Sequence, residues 1–541
     1  LRAISIELLG VLAALALAFI ALAHMASSGR SWILFYDGDS ELLPLIAHTI
    51  RAGQPLHWAM STTLFIPEIA LYLICAVVTS TVHEAIALNA VVNQFVFFLI
   101  IRGVAGFVGS GWSRRRRVVL SVVGQAVFTG FVLLESSPSN NIFELFSLNL
   151  TGTYYWFIVV STGLVALLVA RLLGNGARPS ARSRWLMVGA IGIITLIAVI
   201  SSPIYIAWVL APTAVVVVLL LVLRRIRLQE SVLIAVTLLV GCVVGWVARA
   251  PFKNYISIDP VSYVHLWQFR LSLGSYKVAV LSTAETGLGT VVLVGMVALV
   301  VISLIAAILA YRRGVRDGAL YLPTIAGLTA LVLCIGAVVT GQNAPRYLLP
   351  GVMLPIFLFP AVLAEIAHLP RIARLRLARP LSSSTARTLG IMSVLVLAAS
   401  LVVVPVVTFR AVSNSTFSQA KCLEKWVDGR NLTGVGSYWT VRTFDVYGDK
   451  SVHLLQVQIP SLTAYAWMID LDSYRVPDVS YVMVTNSDPS GSEVTSLLGS
   501  PAHEVSCSGY QIYDYAGTPG EQKLTSIVTS SGAAERAARG W

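Results

Sequence analysis

The residues best suited to chemistry stand close together near the start of the chain. Asp37-Gly38-Asp39 follows the apolar-aromatic run Trp32-Ile33-Leu34-Phe35-Tyr36, and Glu41 comes two residues later. A carboxylate held at a membrane surface can take a proton from a hydroxyl, a role worth about 10²- to 10⁴-fold in rate. The same spacing fits a structural use, in which Asp39 or Ser40 caps an amphipathic helix running to Ile50 and Asp37 is a solvated turn residue. Spacing alone leaves both readings open. An Asp-x-Asp-x-Glu oxygen set lacks the Gly-bounded loop of a calcium site, so no metal is expected.

A second set is cationic: Arg249, Lys253, and Arg346 in Pro345-Arg346-Tyr347-Leu348-Leu349-Pro350. A guanidinium can bind phosphate bidentately. Arg249 and Lys253 fit equally well as snorkelling anchors at a membrane interface. Around Pro138, the polar residues Glu135, Asn140, Asn141 and Glu144 could line a cleft or simply form a wet loop. His57 and His265 have no partner at ligand spacing. There is no Walker loop, dinucleotide glycine fingerprint, Gly-x-Ser-x-Gly elbow or zinc spacing, so no nucleotide cofactor is expected.

The elements that must position these residues are membrane helices. Of 541 residues, 56% are hydrophobic and only 12% charged, with mean hydropathy +0.79. A soluble protein carries about twice that charged share, so the composition excludes a soluble enzyme, a disordered chain and a small disulfide scaffold. Eleven apolar runs are long enough to cross about 30 Å of hydrocarbon: residues 4–25, 84–107, 118–134, 154–173, 185–201, 207–223, 231–247, 287–311, 319–340, 347–367 and 388–409. The first is read as a true span and not a signal peptide; Leu1 in place of Met points to a non-AUG start or a trimmed N-terminus.

The net charge of +12 implies no nucleic-acid partner once the arginines are located. They gather in alternate short loops: Arg114 to Arg117; Arg178, Arg182 and Arg184; Arg224, Arg225 and Arg227; Arg312, Arg313 and Arg316; and Arg371, Arg374, Arg376 and Arg379. The positive-inside bias makes all five cytoplasmic. The N-terminus is then cytoplasmic and everything after residue 409 lies outside the cell membrane. Arg249, Lys253 and Arg346 fall on the outer side, against that bias. A further apolar run, 61–80, contains Pro67 and Glu68 and breaks the alternation if it crosses, so it is read as a re-entrant or juxtamembrane segment.

The expected fold is therefore mainly α: a polytopic membrane domain over 1–409 with outer loops at 26–83, 135–153 and 248–286. A small extracytoplasmic α+β domain follows over 410–516, then a flexible Gly/Ser/Ala-rich tail over 517–541. Strand-like alternation marks 451–458, 479–485 and 509–515, and helical spacing marks 418–428. Cys422 and Cys507, both in this outer region, are expected to pair. Cys75, Cys242 and Cys334 lie in apolar runs and pack.

One span, an acidic outer loop with a juxtamembrane helix, a Pro-containing apolar segment, a series of further spans, an outer Arg346-Tyr347-Leu-Leu-Pro and an extracytoplasmic end domain together resemble the GT-C superfamily. These are polytopic glycosyltransferases that use polyprenyl-phosphate-linked sugars. The resemblance covers the architecture of nearly the whole chain. Many members carry an Asp-Glu or Glu-x-Asp pair and a His-Pro-Pro stretch, where this chain has Asp37-Gly-Asp39 and Phe65-Ile-Pro67-Glu68. It implies inverting transfer on the outer face, with Asp39 or Asp37 as base and Arg346, Tyr347, Arg249 and Lys253 toward the donor phosphate. Glu41, Glu68 and Glu144 are then candidates to line a cleft for a glycan, glycolipid or protein acceptor, in an envelope of actinobacterial type. Two other classes compete: a transporter or flippase for lipid-linked sugars, and a non-catalytic envelope assembly protein.

Overall fold

The computed structural model describes residues 2–175, 179–258, 263–369, 402–449, 451–485 and 491–541. Its membrane part contains α1 (Arg2–Ser27), α2 (Leu42–Arg51), α3 (Ile66–Val77), α4 (Val82–Val108), α5 (Arg114–Leu134), α6 (Trp156–Leu173), α7 (Ala181–Ser201) and α8 (Ala211–Val222). It continues with α9 (Leu228–Ala248), α10 (Phe269–Ala284), α11 (Gly287–Arg312), α12 (Asp317–Val339), α13 (Leu349–Phe357), α14 (Phe359–Ile366) and α15 (Val402–Ser413). Eight of these, α1, α4 to α7, α9, α11 and α12, are long and apolar enough to cross a membrane. The chain is a multi-pass membrane protein.

Eleven crossings were the expectation; the described residues contain eight, or nine if a bent pair counts as one. Run 207–223 forms α8, of 12 residues, behind a five-residue π-helical turn, Ile206–Leu210. At 1.5 Å per residue this is about 25 Å, short of the hydrocarbon thickness. Run 347–367 bends by 56° between Pro345–Phe357 and α14, where Pro360 has no amide to continue the ladder. Run 388–409 lies outside the described residues up to 401. Segment 61–80 forms α3, whose 12 residues reach only about 18 Å.

The arginine-rich turns collect at one end. Arg102 and Arg114 both meet Glu7, Arg184 meets Glu230, and Arg313 meets Glu365. Arg171 reaches the Gly103 carbonyl, Arg225 that of Tyr311, and the Gly318 amide that of Gly174. Arg178 and the cluster Arg371, Arg374, Arg376 and Arg379 lie outside the described residues.

The C-terminal region holds α16 (Ala420–Val427), α17 (Tyr438–Tyr447), α18 (Gly491–Leu498) and α19 (Pro519–Arg539) around strands. A two-residue strand between α2 and α3, β1 (Trp58–Ala59), precedes them in the chain. They are β2 (Thr433–Gly436), β3 (His453–Gln458), β4 (Thr463–Ala464), β5 (Ile469–Asp470), β6 (Tyr481–Thr485), β7 (His503–Cys507) and β8 (Tyr510–Asp514). Six form one sheet in the order β4-β3-β2-β6-β8-β7, parallel across β3-β2-β6 and antiparallel elsewhere. Side chains alternate across β6: Tyr481 and Met483 pack with Leu423 and Phe444, and Val482 and Val484 with Leu524 and Val528. Both faces are thus covered by helices. The residues expected to be a flexible tail form α19 instead, because the second face needs a cover. Leu524 and Val528 sit one turn apart and fully buried, and Gly532 lets the helix approach Tyr474, where a Cβ would come within 2.5 Å. Cys422 and Cys507 are disulfide-bonded.

Candidate functional site

At the end of the helical bundle opposite the arginine-rich turns, the segment between α1 and α2 is built on a buried cation. Arg30 is fully buried. It donates to the Ser147 hydroxyl at 2.8 Å and to the carbonyls of Ser137, Ser139 and Glu144 at 3.1, 2.9 and 2.8 Å. Glu135 and Glu144 balance its charge at 4.0 and 3.7 Å. Glu135 in turn accepts from the amides of Phe146 and Ser147, and Glu144 from those of Ser136 and Ser137. This cluster fixes loop 135–153 against residues 28–36.

That loop delivers Asn140 to Asp37. The Asp37 carboxylate accepts from the Tyr154 hydroxyl at 2.8 Å, from Asn140 Nδ2 at 3.2 Å and from the Asp39 amide at 3.1 Å. It is only 5% exposed. Burial and the neighbouring charge of Asp39 push its pKa up to about 6, against the pull of the Asp39 amide, the Tyr154 hydroxyl and the positive charge on Arg346.

Asp39 accepts from the Tyr438 hydroxyl, on α17, at 2.9 Å, and is the leading carboxylate charge acting on Arg346. It does not cap α2, whose N-cap is Glu41, and Ser40 donates to the Ile33 carbonyl. The structural use of this motif, with Asp39 or Ser40 as cap and Asp37 solvated, is therefore not what the fold makes of it.

Arg346 completes the arrangement. Its guanidinium carbon lies 5.9 Å from the Tyr154 ring centre and 6.0 Å from that of Tyr347. Tyr154 thus contacts both, touching Asp37 with its hydroxyl and facing Arg346 with its ring. Among the described residues no carboxylate comes within ion-pair distance of Arg346. Beside it is a largely apolar groove of 320 Å³ lined by Tyr155, Trp208, Ala211, Leu333, Ala337 and Tyr347, among others. Tyr155 and Phe65 cap α6 and α3 in left-handed conformation, with φ of 60° and 51°. For bulky residues this costs about 1–3 kcal/mol each and is concentrated at functional sites.

Other expected residues are placed elsewhere. Arg249 is not available to a phosphate: it donates to the carbonyls of Ile200, Ser201 and Thr62 and clamps the end of α9 to α7 and to the segment between α2 and α3. Lys253 is exposed on the short helix Ala250–Tyr255 and has no partner among the described residues. None of the three acids expected at an acceptor cleft lines one. Glu68 accepts from the Phe157 amide at 3.0 Å, so it caps α6, and Glu144 serves Arg30. Glu41 is fully buried, with Arg442 and Thr443 as its favourable neighbours. Burial pushes its pKa up to about 8 against the attraction of Arg442.

Tyr154, Tyr438, Arg442 and Arg30 are the residues of this candidate site that sequence reasoning missed. The Tyr154-Tyr155 doublet opening α6 was the one local signal. Among the described residues no three His, Cys, Asp or Glu side chains are grouped to hold a metal ion. Neither a protein-family model nor a curated protein sequence matches this chain.

Proposed function

We propose that this protein is a membrane glycosyltransferase. In this reading it moves a sugar from a polyprenyl-phosphate donor to an envelope acceptor on the outer face of the cell membrane. What carries the reading is one juxtaposition: Tyr154 donates to Asp37 and its ring faces Arg346, on which Asp39 is the leading carboxylate charge, next to an apolar groove. A lipid-linked phosphate needs both an apolar channel for its chain and a cation for its head, and a hydroxyl acceptor needs a base. The arginine-rich end is cytoplasmic by the positive-inside bias, which puts this site and the C-terminal domain outside.

The acceptor oxygen attacks the anomeric carbon from the side opposite the phosphate. The new C–O bond forms as the bond to the phosphate oxygen breaks, the hydroxyl proton passes to Asp39 or Asp37, and the leaving pair rests on the phosphate facing Arg346. Asp39 is the first choice as base, because Asp37 is held by three donors.

The test is sugar transfer by the full chain in lipid nanodiscs, with polyprenyl-phosphate sugars as donors. Asp39→Asn and Arg346→Lys should each lower transfer by about 10²-fold or more while insertion and melting stay unchanged. The Tyr438–Asp39 hydrogen bond favours one rival, an assembly protein in which Asp39 is only a docking residue for the C-terminal domain. No transfer by the unaltered chain with any donor, together with unaltered envelope glycolipid in a folded Asp39→Asn variant, would decide for it.

A further inference from the structure

The pair α7 and α9 carries a second groove, of 500 Å³, where both helices are mostly exposed. It runs from Trp185 to Leu196 on α7 and from Leu233 to Val244 on α9. Thr237, its one hydroxyl, donates to the Leu233 carbonyl at 2.7 Å, so apart from the Trp185 indole the lining offers hydrocarbon alone. Gly189 and Gly192 also line it, and a Cβ on either would meet nothing within 4 Å. These glycines hollow the groove, whereas Gly241 and Gly245 bring the two helices together: a Cβ on Gly241 would lie 2.9 Å from the Thr195 side chain.

In a membrane such a groove is filled either by a hydrocarbon chain or by a helix of another chain, and its length decides between them. From Trp185 to Leu196 the helix rises about 17 Å, a little over half of the roughly 30 Å of hydrocarbon. The groove therefore has the depth of one leaflet, counted from the arginine-rich end. Beyond it α7 and α9 close, since a Cβ on Gly245 would lie 2.9 Å from the Leu196 carbonyl and 3.0 Å from Val199. A seated helix would lose its contact in the second leaflet, whereas an acyl chain ends where its leaflet does.

Charge at the mouth narrows the head group. Arg184 directly precedes Trp185 and meets Glu230, in the first turn of α9, at 3.4 Å. Arg182 on α7 and Arg227 at the start of α9 are exposed at the same end. Asp317 has Arg227, Arg316 and Glu230 as its charged neighbours. Four arginines thus stand against two carboxylates, and basic pockets between membrane helices hold anionic heads. Trp185 is 64% exposed, as suits an aromatic ring at head-group level.

We propose that the groove between α7 and α9 holds one chain of an anionic phospholipid from the leaflet on the arginine-rich side. This binding does not depend on the glycosyltransferase reading.

The experiment is native mass spectrometry of the full chain through stepwise delipidation, with phosphatidylglycerol and phosphatidylethanolamine of matched chains as probes. One phosphatidylglycerol should be retained, with a Kd about tenfold or more below that of phosphatidylethanolamine. Gly192→Leu puts a side chain into the free space of the groove. It should leave melting of the lipid-free chain unchanged and weaken phosphatidylglycerol about tenfold or more. Arg182→Gln, at an exposed position, carries a second test that leaves the packing untouched. It should weaken phosphatidylglycerol about fivefold, the worth of one arginine at a charged surface, and leave phosphatidylethanolamine unchanged. No retained lipid, equal affinity for the two probes, or undiminished phosphatidylglycerol binding in both variants would overturn the proposal. So would a dimer of the chain that Gly192→Leu dissociates, because the groove would then belong to a second copy.

Discussion

In the proposed transfer, replacing Tyr154 by Phe asks which of the two acids takes the proton. The substitution keeps the ring that faces Arg346 and removes the hydroxyl that donates to Asp37 at 2.8 Å. That bond favours the ionised carboxylate, so its loss must raise the pKa of Asp37. A hydrogen bond to a charged group contributes about 1.5–3 kcal/mol, and about 1.4 kcal/mol corresponds to one pKa unit. Asn140, which donates to the same oxygen and also to the Tyr154 hydroxyl, can re-aim and recover part of the loss. The lower end therefore applies, a rise of about one unit from about 6. At neutral pH the ionised share of Asp37 falls from about nine-tenths to about half. Two readouts are needed: the pH–rate profile of transfer, and infrared titration of the buried carboxyl with Asp37→Asn as reference. If Asp37 is the base, both midpoints move up together and the high-pH rate is retained. If Asp39 is the base, the infrared midpoint moves and the rate midpoint does not follow it. An Asp37 infrared midpoint that stays in place or falls would refute the electrostatic account of the site.

Three further outcomes follow from the same geometry. Arg30→Met leaves Glu135 and Glu144 buried without their cation and should cost about 3–5 kcal/mol, read as a lowered thermal midpoint in detergent, whereas the exposed Lys253→Met should change it little. Glu41 holds its proton up to about 8 when folded and only to the ordinary carboxylate range when unfolded. The folded state therefore binds more protons between those values. The stability this contributes is complete at low pH and is lost as pH rises through about 8, and Glu41→Gln should flatten the fall in melting temperature measured from acid to alkaline pH. Deleting residues 517–541 uncovers Val482, Val484 and Tyr474 and forfeits burial of Leu524 and Val528, worth about 1.5–3 kcal/mol each; limited proteolysis should then cut the C-terminal sheet while the membrane helices stay intact.

What the sequence made legible, and what it hid, divides along the range of the interactions. Long apolar runs report membrane helices because each must satisfy its own backbone in lipid, and most of those runs do form them. The runs at 207–223 and 347–367 mislead because hydropathy records composition and not the π-helical turn before α8 or the break before Pro360. The tail misleads for the opposite reason: Gly, Ser and Ala in 517–541 look like a linker, but Leu524, Val528 and Gly532 recur every four residues and form the stripe that covers the sheet. At the site, Asp37, Asp39 and Arg346 were visible as charges in the wrong place for lipid or for topology. Arg249 carries the same signal and is spent on three carbonyls. Whether a cation at a membrane edge is occupied or free depends on which carbonyls the tertiary fold brings to it, and no local spacing encodes that.

The partner of Asp39 explains why glycine separates the two acids. Gly38 is not in a left-handed conformation, so backbone freedom is not the reason. A Cβ there would lie 3.0 and 3.3 Å from Tyr438 ring carbons and 3.4 Å from Arg442 Cδ, closer than side chains normally pack. The missing side chain lets a helix some 400 residues away in the sequence press against the motif. Asp39 and Asp37, two positions apart, are then turned to different tyrosines from different parts of the chain. Acid–base sites gain their division of labour when neighbouring titratable groups are held in unlike surroundings. Here one acid is enclosed by loop 135–153 and the start of α6, and the other is held by the C-terminal domain. Gly38→Ala must either push α17 away or rotate the acids. In both cases it should disturb Asp39 before Asp37, which ties the docking of the C-terminal domain to the chemistry of the loop it covers.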